Sequence, residues 1–259
     1  MSADRQPAVL VIQHQESCPP AMFGPWLTEA GLTLDVRRAD REELPPLDTP
    51  TTTPTTTSYA GLVVLGGEMD ADADEQHPWL PVVRARIREA AELGVPTLAI
   101  CLGHQLAALA LGGKVGRNPY GRTLGIRQVD WEPAVIFDPL VRKVAGEDRA
   151  VHGNQDVVTE LPPGAELLAT TLDGQVQAAR LAPTVWGVQF HPEADAAMVA
   201  SWGKESEAEF APAEAELHRT WRSFAQAYAA LVRGRAAAVA HVGLAGRNRP
   251  IEDRPERGS

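Results

Sequence analysis

Short continuous apolar runs punctuate the first half of the chain. Ala8–Gln13 (AVLVIQ), Gly61–Leu65 (GLVVL) and Val95–Ile100 (VPTLAI) each have the length and composition of a strand buried on both faces. Thr33–Arg38 predicts a further strand. Helical spacing fills the intervals: residues 21–30 predict a helix ended by Gly31. From His77 to Leu93, the residues Leu80, Val83, Ile87, Ala90 and Ala91 share one face, and Gly94 stops the run. A helix of small residues (HQLAALALGG) follows the strand at 95–100. Apolar strands alternating with helices predict an α/β fold, with an open, mostly parallel central sheet flanked by helices in the flavodoxin-like manner.

The texture changes after Lys114. Short β-like pieces separated by Asn118-Pro119, Pro162-Pro163-Gly164 and Asp173-Gly174 predict antiparallel β additions, ending on the strand VWGVQF. Beyond them Leu217, Trp221, Phe224, Tyr228 and Leu231 form an apolar stripe. We read it as the docking face of a helical extension, with a contact between subunits as the alternative. The expected organisation is one domain over residues 1–200, a packed helical extension over 201–245 and a disordered tail over 246–259. The Pro/Thr tract between Pro45 and Ser58 cannot pack a core and reads as a solvated loop.

Composition narrows the function more by exclusion than by choice. The chain has 259 residues and a net charge of −10, which argues against a nucleic-acid partner, since such proteins carry a basic face. No apolar run is long enough to cross a membrane, and the N-terminus lacks a secretory pattern, so a cytoplasmic protein is expected. In a reducing compartment Cys18 and Cys101 should both be free thiols.

The chemistry concentrates in three places. In Thr97–Gln105 (TLAICLGHQ), Cys101 ends a buried strand and enters a helix through a Gly-containing turn, the setting of a nucleophile elbow. A helix N-terminus favours the thiolate, and the backbone N–H of Leu102 can donate to an oxyanion on the carbon under attack. Alone, this cysteine reads equally well as a small buried hydrophobe. In Gly187–Glu193 (GVQFHPE), residues two apart on extended chain share a side, so His191 and Glu193 can face one site as a base and its orienter. Alone, HPE reads as a surface loop. In Leu65–Glu68 (LGGE), Gly67 is a candidate second oxyanion donor, because glycine permits a turn that aims an N–H into the cleft; a plain strand-to-loop turn is the alternative.

Together, and in this order, the three motifs resemble those of the class I (triad) glutamine amidotransferases, over residues 8–193. The resemblance implies Cys101 as nucleophile, His191 as general base and acid, Glu193 as its orienter, and Gly67 and Leu102 as the oxyanion hole. It also implies that Gln105 contacts substrate and, through AVHGNQD, which looks like the glutamine-pocket segment of the GMP-synthase-like branch, that His152 and Gly153 lie near it. No cofactor and no metal are implied. The substrate would be glutamine or another γ-glutamyl compound.

Two departures stand out: Glu68 replaces the proline usual after the paired glycines, and HGNQD replaces the more usual HGD. No synthase domain follows Glu193, so ammonia is expected to pass to a separate synthase subunit, or the reaction is plain hydrolysis by a γ-glutamyl hydrolase acting alone. A non-catalytic binding or regulatory protein on the same scaffold is the reading from another class. The acidic run Glu68, Asp70, Asp72, Asp74 and Glu75 lacks a calcium-loop spacing and reads as a solvated loop, with Asp74 placed to cap the helix near Pro78. His14, beside the end of the first strand, reads as a packed core or surface residue, with lining of the cleft as the alternative; His104 and Cys18 receive no role.

Overall fold

The computed structural model describes residues 6–47 and 58–247, with side chains through 241. Its elements run β1 (Ala8–Gln13), α1 (Phe23–Glu29), β2 (Thr33–Arg38), β3 (Gly61–Val64), α2 (Leu80–Glu92), β4 (Thr97–Ile100) and α3 (Leu102–Ala110). There follow β5 (Lys114–Arg117), β6 (Thr123–Gln128), β7 (Asp130–Trp131), β8 (Arg149–Asn154), β9 (Asp156–Glu160), β10 (Glu166–Thr170), β11 (Val176–Ala182) and β12 (Val185–Val188). The chain closes with α4 (Ala196–Trp202), α5 (Lys204–Phe210) and α6 (Glu214–Arg247).

The main sheet has eight strands in the order β2-β1-β3-β4-β12-β11-β10-β7. The first five are parallel, as the buried apolar runs predict, and their order is that of a flavodoxin-like sheet. The last three are antiparallel additions. The strand VWGVQF proves to be the seam: β12 pairs parallel to β4 on one side and antiparallel to β11 on the other. Two small antiparallel ribbons, β5–β9 and β6–β8, stand outside the main sheet.

Helix starts differ from the sequence reading for local reasons. Ala21 takes a left-handed φ of 40°, so α1 begins at Phe23 rather than at 21. At α2 the N-cap is Trp79, with no side-chain cap bond, and Asp74 pairs with Arg84 instead of capping. The helix therefore begins at Leu80, not His77. Gly31 and Gly94, at φ 84° and 63°, stop α1 and α2 as expected.

The apolar stripe of α6 lies on the domain. Leu217, Trp221, Phe224 and Tyr228 are buried, and Leu231 packs against the same core. Tyr228 Oη donates to the carbonyls of Leu62 (2.9 Å) and Pro96 (3.2 Å), next to β3 and β4. Gly61 makes this possible, since a Cβ there would meet Val232 Cγ2 at 2.7 Å and Tyr228 Oη at 2.8 Å. The helix continues through Gly246 and Arg247, so the first two residues of the expected tail are helical. The rest of that tail, like residues 48–57 of the Pro/Thr tract, lies outside the described residues.

Candidate active site

The carboxyl ends of β1, β3, β4 and β12 meet at one edge of the sheet, where open α/β folds bind ligands. Cys101 caps α3 with φ 51° and ψ −106°, a conformation few residues other than glycine adopt. Its N–H donates to Val188 O at 2.8 Å, which ties the elbow to β12. Gly103 makes the turn close enough to work: a Cβ there would sit 2.3 Å from Val64 O. Leu102, the first residue of α3, carries one of the N–H groups that a helix start leaves without an internal acceptor.

His191 and Cys101 flank Gly66. A Cβ on that glycine would lie 3.0 Å from His191 Cε1 and 3.6 Å from Cys101 Cβ. His191 Nδ1 is 2.9 Å from Glu193 Oε1, and both side chains are buried. Burial disfavours the imidazolium, but the Glu193 carboxylate, with the Cys101 sulfur beside it, outweighs that cost and raises the His191 pKa. Nδ1 faces the carboxylate, while Nε2 is buried without a protein partner. Behind the pair, His191 N–H is anchored on Val151 O at 2.7 Å, and Phe190 points the other way into the core against Trp221.

Gly67 lines the cleft, but its φ is not positive. The glycine answers to space instead of to a left-handed turn: a Cβ would meet Met69 Sδ at 2.6 Å and Leu102 Cδ2 at 2.7 Å. Next to it, Glu68 N–H donates to Gln15 Oε1 at 3.3 Å, a bond the family's usual proline has no N–H to make.

The cleft itself has a volume of about 270 Å³ and reaches Cys101, Gln105, Gly153, Asp156, Arg122 and Trp202. His152, expected near substrate, is not among the lining residues; it is fully buried, its ring 6.1 Å from that of Phe190. Burial pushes its pKa down to about 3, with His191 nearby adding to the effect. His14 and His104 are equally buried, and burial lowers them to about 4 and about 3. Burial pushes the Cys18 thiol up to about 11, against a partly offsetting contact with Ser17.

Sequence reasoning missed Trp202 and Gln189. The Trp202 ring lies tilted against that of His191, their centroids 5.0 Å apart, and covers Gly153, where a Cβ would come within 3.0 Å of it. Nothing local to Trp202 announces this. Gln189, whose amide approaches Cys101 Sγ at 3.7 Å, obeys the same two-residue alternation that singled out His191 and Glu193. Among the described residues no cluster of three or more His, Cys, Asp or Glu side chains is arranged for a metal, and no helix is long and apolar enough to cross a membrane.

The family model "Glutamine amidotransferase class-I" matches residues 27–198. The chain belongs to this family. Among its curated amidotransferase relatives is a subunit of the glutamine-hydrolysing GMP synthase from Haloarcula marismortui, 37% identical over 143 residues, 55% of this chain and 69% of that one. The corresponding polypeptide from Thermococcus kodakarensis is 42% identical over 103 residues, 39% of this chain and 53% of that one. An aminodeoxychorismate synthase from Streptomyces griseus is 42% identical over 113 residues, 42% of this chain but only 14% of that much longer protein. The chain likewise spans only 20% of the GMP synthase of Clostridium novyi. A solved glutamine amidotransferase from Methylobacillus flagellatus superposes with a TM-score of 0.72 at 25% identity, covering 89% of this chain and 95% of that one. Another, from Thermotoga maritima, shares the fold at 23% identity with a TM-score of 0.69, over 89% and 98% of the two chains.

Proposed function

We propose that this class I glutamine amidotransferase is a cytoplasmic glutaminase that hydrolyses the side-chain amide through a Cys101 thioester and yields ammonia to a separate synthase subunit. The observation that carries the reading is the strained elbow of Cys101 beside a buried His191–Glu193 pair 2.9 Å apart. His191 takes the thiol proton, and the raised pKa of the imidazole favours the thiolate–imidazolium pair. The sulfur attacks the carboxamide carbon, and the oxyanion is met by the N–H groups of Leu102 and Gly67. His191 returns the proton to the departing nitrogen, so ammonia leaves and the thioester remains. Water, deprotonated by His191, then attacks; the C–S bond breaks, glutamate leaves and the thiol is restored.

Arg122 and Asp156 both line the cleft, and their charges suit the carboxylate and ammonium of a free α-amino acid. Gln105 and Gly153 line the same space and complete the substrate wall. The separate synthase is suggested by the GMP synthase subunits among the relatives.

The test is ammonia release from glutamine and from a panel of γ-glutamyl compounds, with Cys101→Ala as control. Glutamine turnover that vanishes in the control supports the proposal. Turnover confined to another γ-glutamyl compound points to a hydrolase acting alone, and no turnover of any, with or without a synthase, would leave a binding protein.

A further inference from the structure

Gln189 has no place in the mechanism above, yet its position is tightly determined. Strands β12 and β4 run parallel with Val188 opposite Ile100, so Gln189 and Cys101 leave their strands side by side. The Gln189 side chain is wholly buried, with Nε2 3.7 Å from Cys101 Sγ. A carboxamide at this distance could offer sulfur either its NH₂ or its oxygen. Its neighbours decide which.

The Asp156 carbonyl can only accept, so the Gln105 atom 2.9 Å from it must be the NH₂ group. That same NH₂ lies 3.3 Å from Gln189 Oε1, which must therefore be the acceptor oxygen. The remaining end of Gln189, the NH₂, is left facing the sulfur. Asn154 Nδ2 donates to the same Asp156 carbonyl at 3.2 Å and steadies the far end.

We infer that Gln189 donates an N–H to the Cys101 thiolate, and that Gln105 holds it in that orientation as part of a two-amide relay anchored on the Asp156 backbone. The inference rests on Cys101 being the nucleophile. A donor aimed at sulfur favours S⁻ over SH. It acts twice in the cycle: it sustains the attacking thiolate, and it donates again to the sulfur when the C–S bond of the thioester adduct breaks and the sulfur takes back the electron pair. Gln105 is thereby given a second duty. Its NH₂ is committed to two acceptors, so a ligand in the cleft meets its oxygen.

Titratable groups near the sulfur are His191, with Glu193 behind it after β12, and Cys18 after β1, and the cleft that Cys101 lines is also lined by the charged Glu68, Asp70, Arg122 and Asp156. All are left in place by substitutions at 189. The measurement is the pH profile of Cys101 alkylation by iodoacetamide, made in a Cys18→Ser background. Gln189→Met should raise the apparent thiol pKa by about one unit, slowing alkylation about tenfold below it. Gln189→Glu, which turns a carboxylate toward the sulfur, should raise it further. Each should lower kcat with KM little changed.

A Gln189→Met profile that overlays the parent's would overturn the inference. Should that variant not fold, Gln105→Met serves on the same readout. It keeps Gln189 but frees its amide to turn, so a partial rise is expected, and an unshifted profile would overturn the relay. Ammonia release surviving in Cys101→Ser would instead sink the proposed function, and the thiol profile reports independently of turnover.

Discussion

Four histidines are buried in and around the site, and burial does not act on them alike. His191 has a carboxylate at 2.9 Å, whereas His14, His104 and His152 have both ring nitrogens without a protein partner. The last three hold folded pKa values of about 4, 3 and 3, below the ordinary 6.5. The unfolded chain therefore binds more protons as the pH drops, and stability present above pH 6.5 is lost on the way down to those values. His191 works in the opposite window: its raised pKa stabilises below the unfolded value, a contribution lost as pH climbs through the folded one. We expect a net loss between about pH 7 and about pH 5, with each neutral histidine contributing about 2 kcal/mol. His104→Leu should flatten the urea midpoint over that range; an unchanged slope would mean that His104 is not held neutral. In the reaction, the proposed roles predict unequal losses. His191→Ala should cost about 10⁶ in kcat and Glu193→Gln about 10⁴, because members of a triad act as a unit but not equally. Steady-state ammonia release measures both, and near-parental kcat in His191→Ala would remove it as the base. Much of this neighbourhood was legible in the chain. Cys101, His191 and Glu193 each combine a reactive side chain with a local geometry that a short stretch of sequence specifies. Trp202 and Arg122 were not legible, because only the folded chain brings their elements to the cleft.

Among elements, the parallel strands were readable because burial on both faces leaves a continuous apolar run. Pairing was less so. The pattern VWGVQF announces a buried strand but carries no sign that β12 would be the seam between the parallel and antiparallel halves. Glycines behaved similarly: Gly31 and Gly94 ended helices as read, whereas Gly67 and Gly61 are small because another side chain needs the space. The seating of α6 depends on one such gap. Tyr228 Oη bonds the carbonyls of Leu62 and Pro96 from a fully buried position. Tyr228→Phe keeps the ring and removes the donor, so two carbonyls lose a partner at a cost of about 1–2 kcal/mol. Denaturant unfolding should show this loss, and an unchanged midpoint would mean that water replaces the hydroxyl without penalty.

For the molecule as a whole, the proposed delivery of ammonia to a separate synthase gives a reason for restraint, since ammonia released without an acceptor is lost. The loop after β3 is a natural place for it, because Gln15 fastens Glu68 N–H beside the proposed donor Gly67. One oxyanion donor out of position typically costs about 10²–10³ in kcat. We therefore expect the purified chain to turn over glutamine slowly while Cys101 remains readily alkylated, since thiolate formation needs no oxyanion hole. Rapid glutamine hydrolysis by the chain alone would defeat this expectation. The seating of α6 bears on a different question, the order in which the protein is made. Each proposed catalytic group lies before α6 in the chain, yet Phe190, one residue before the histidine, stacks on Trp221 of that helix. A nascent chain emerging from the ribosome would thus carry its full chemical complement before the helix that buries Phe190 exists. Its competence should arrive late and abruptly, with α6, so that ribosome-stalled chains ending before Glu214 would be expected to hold Cys101 without an organised partner for it.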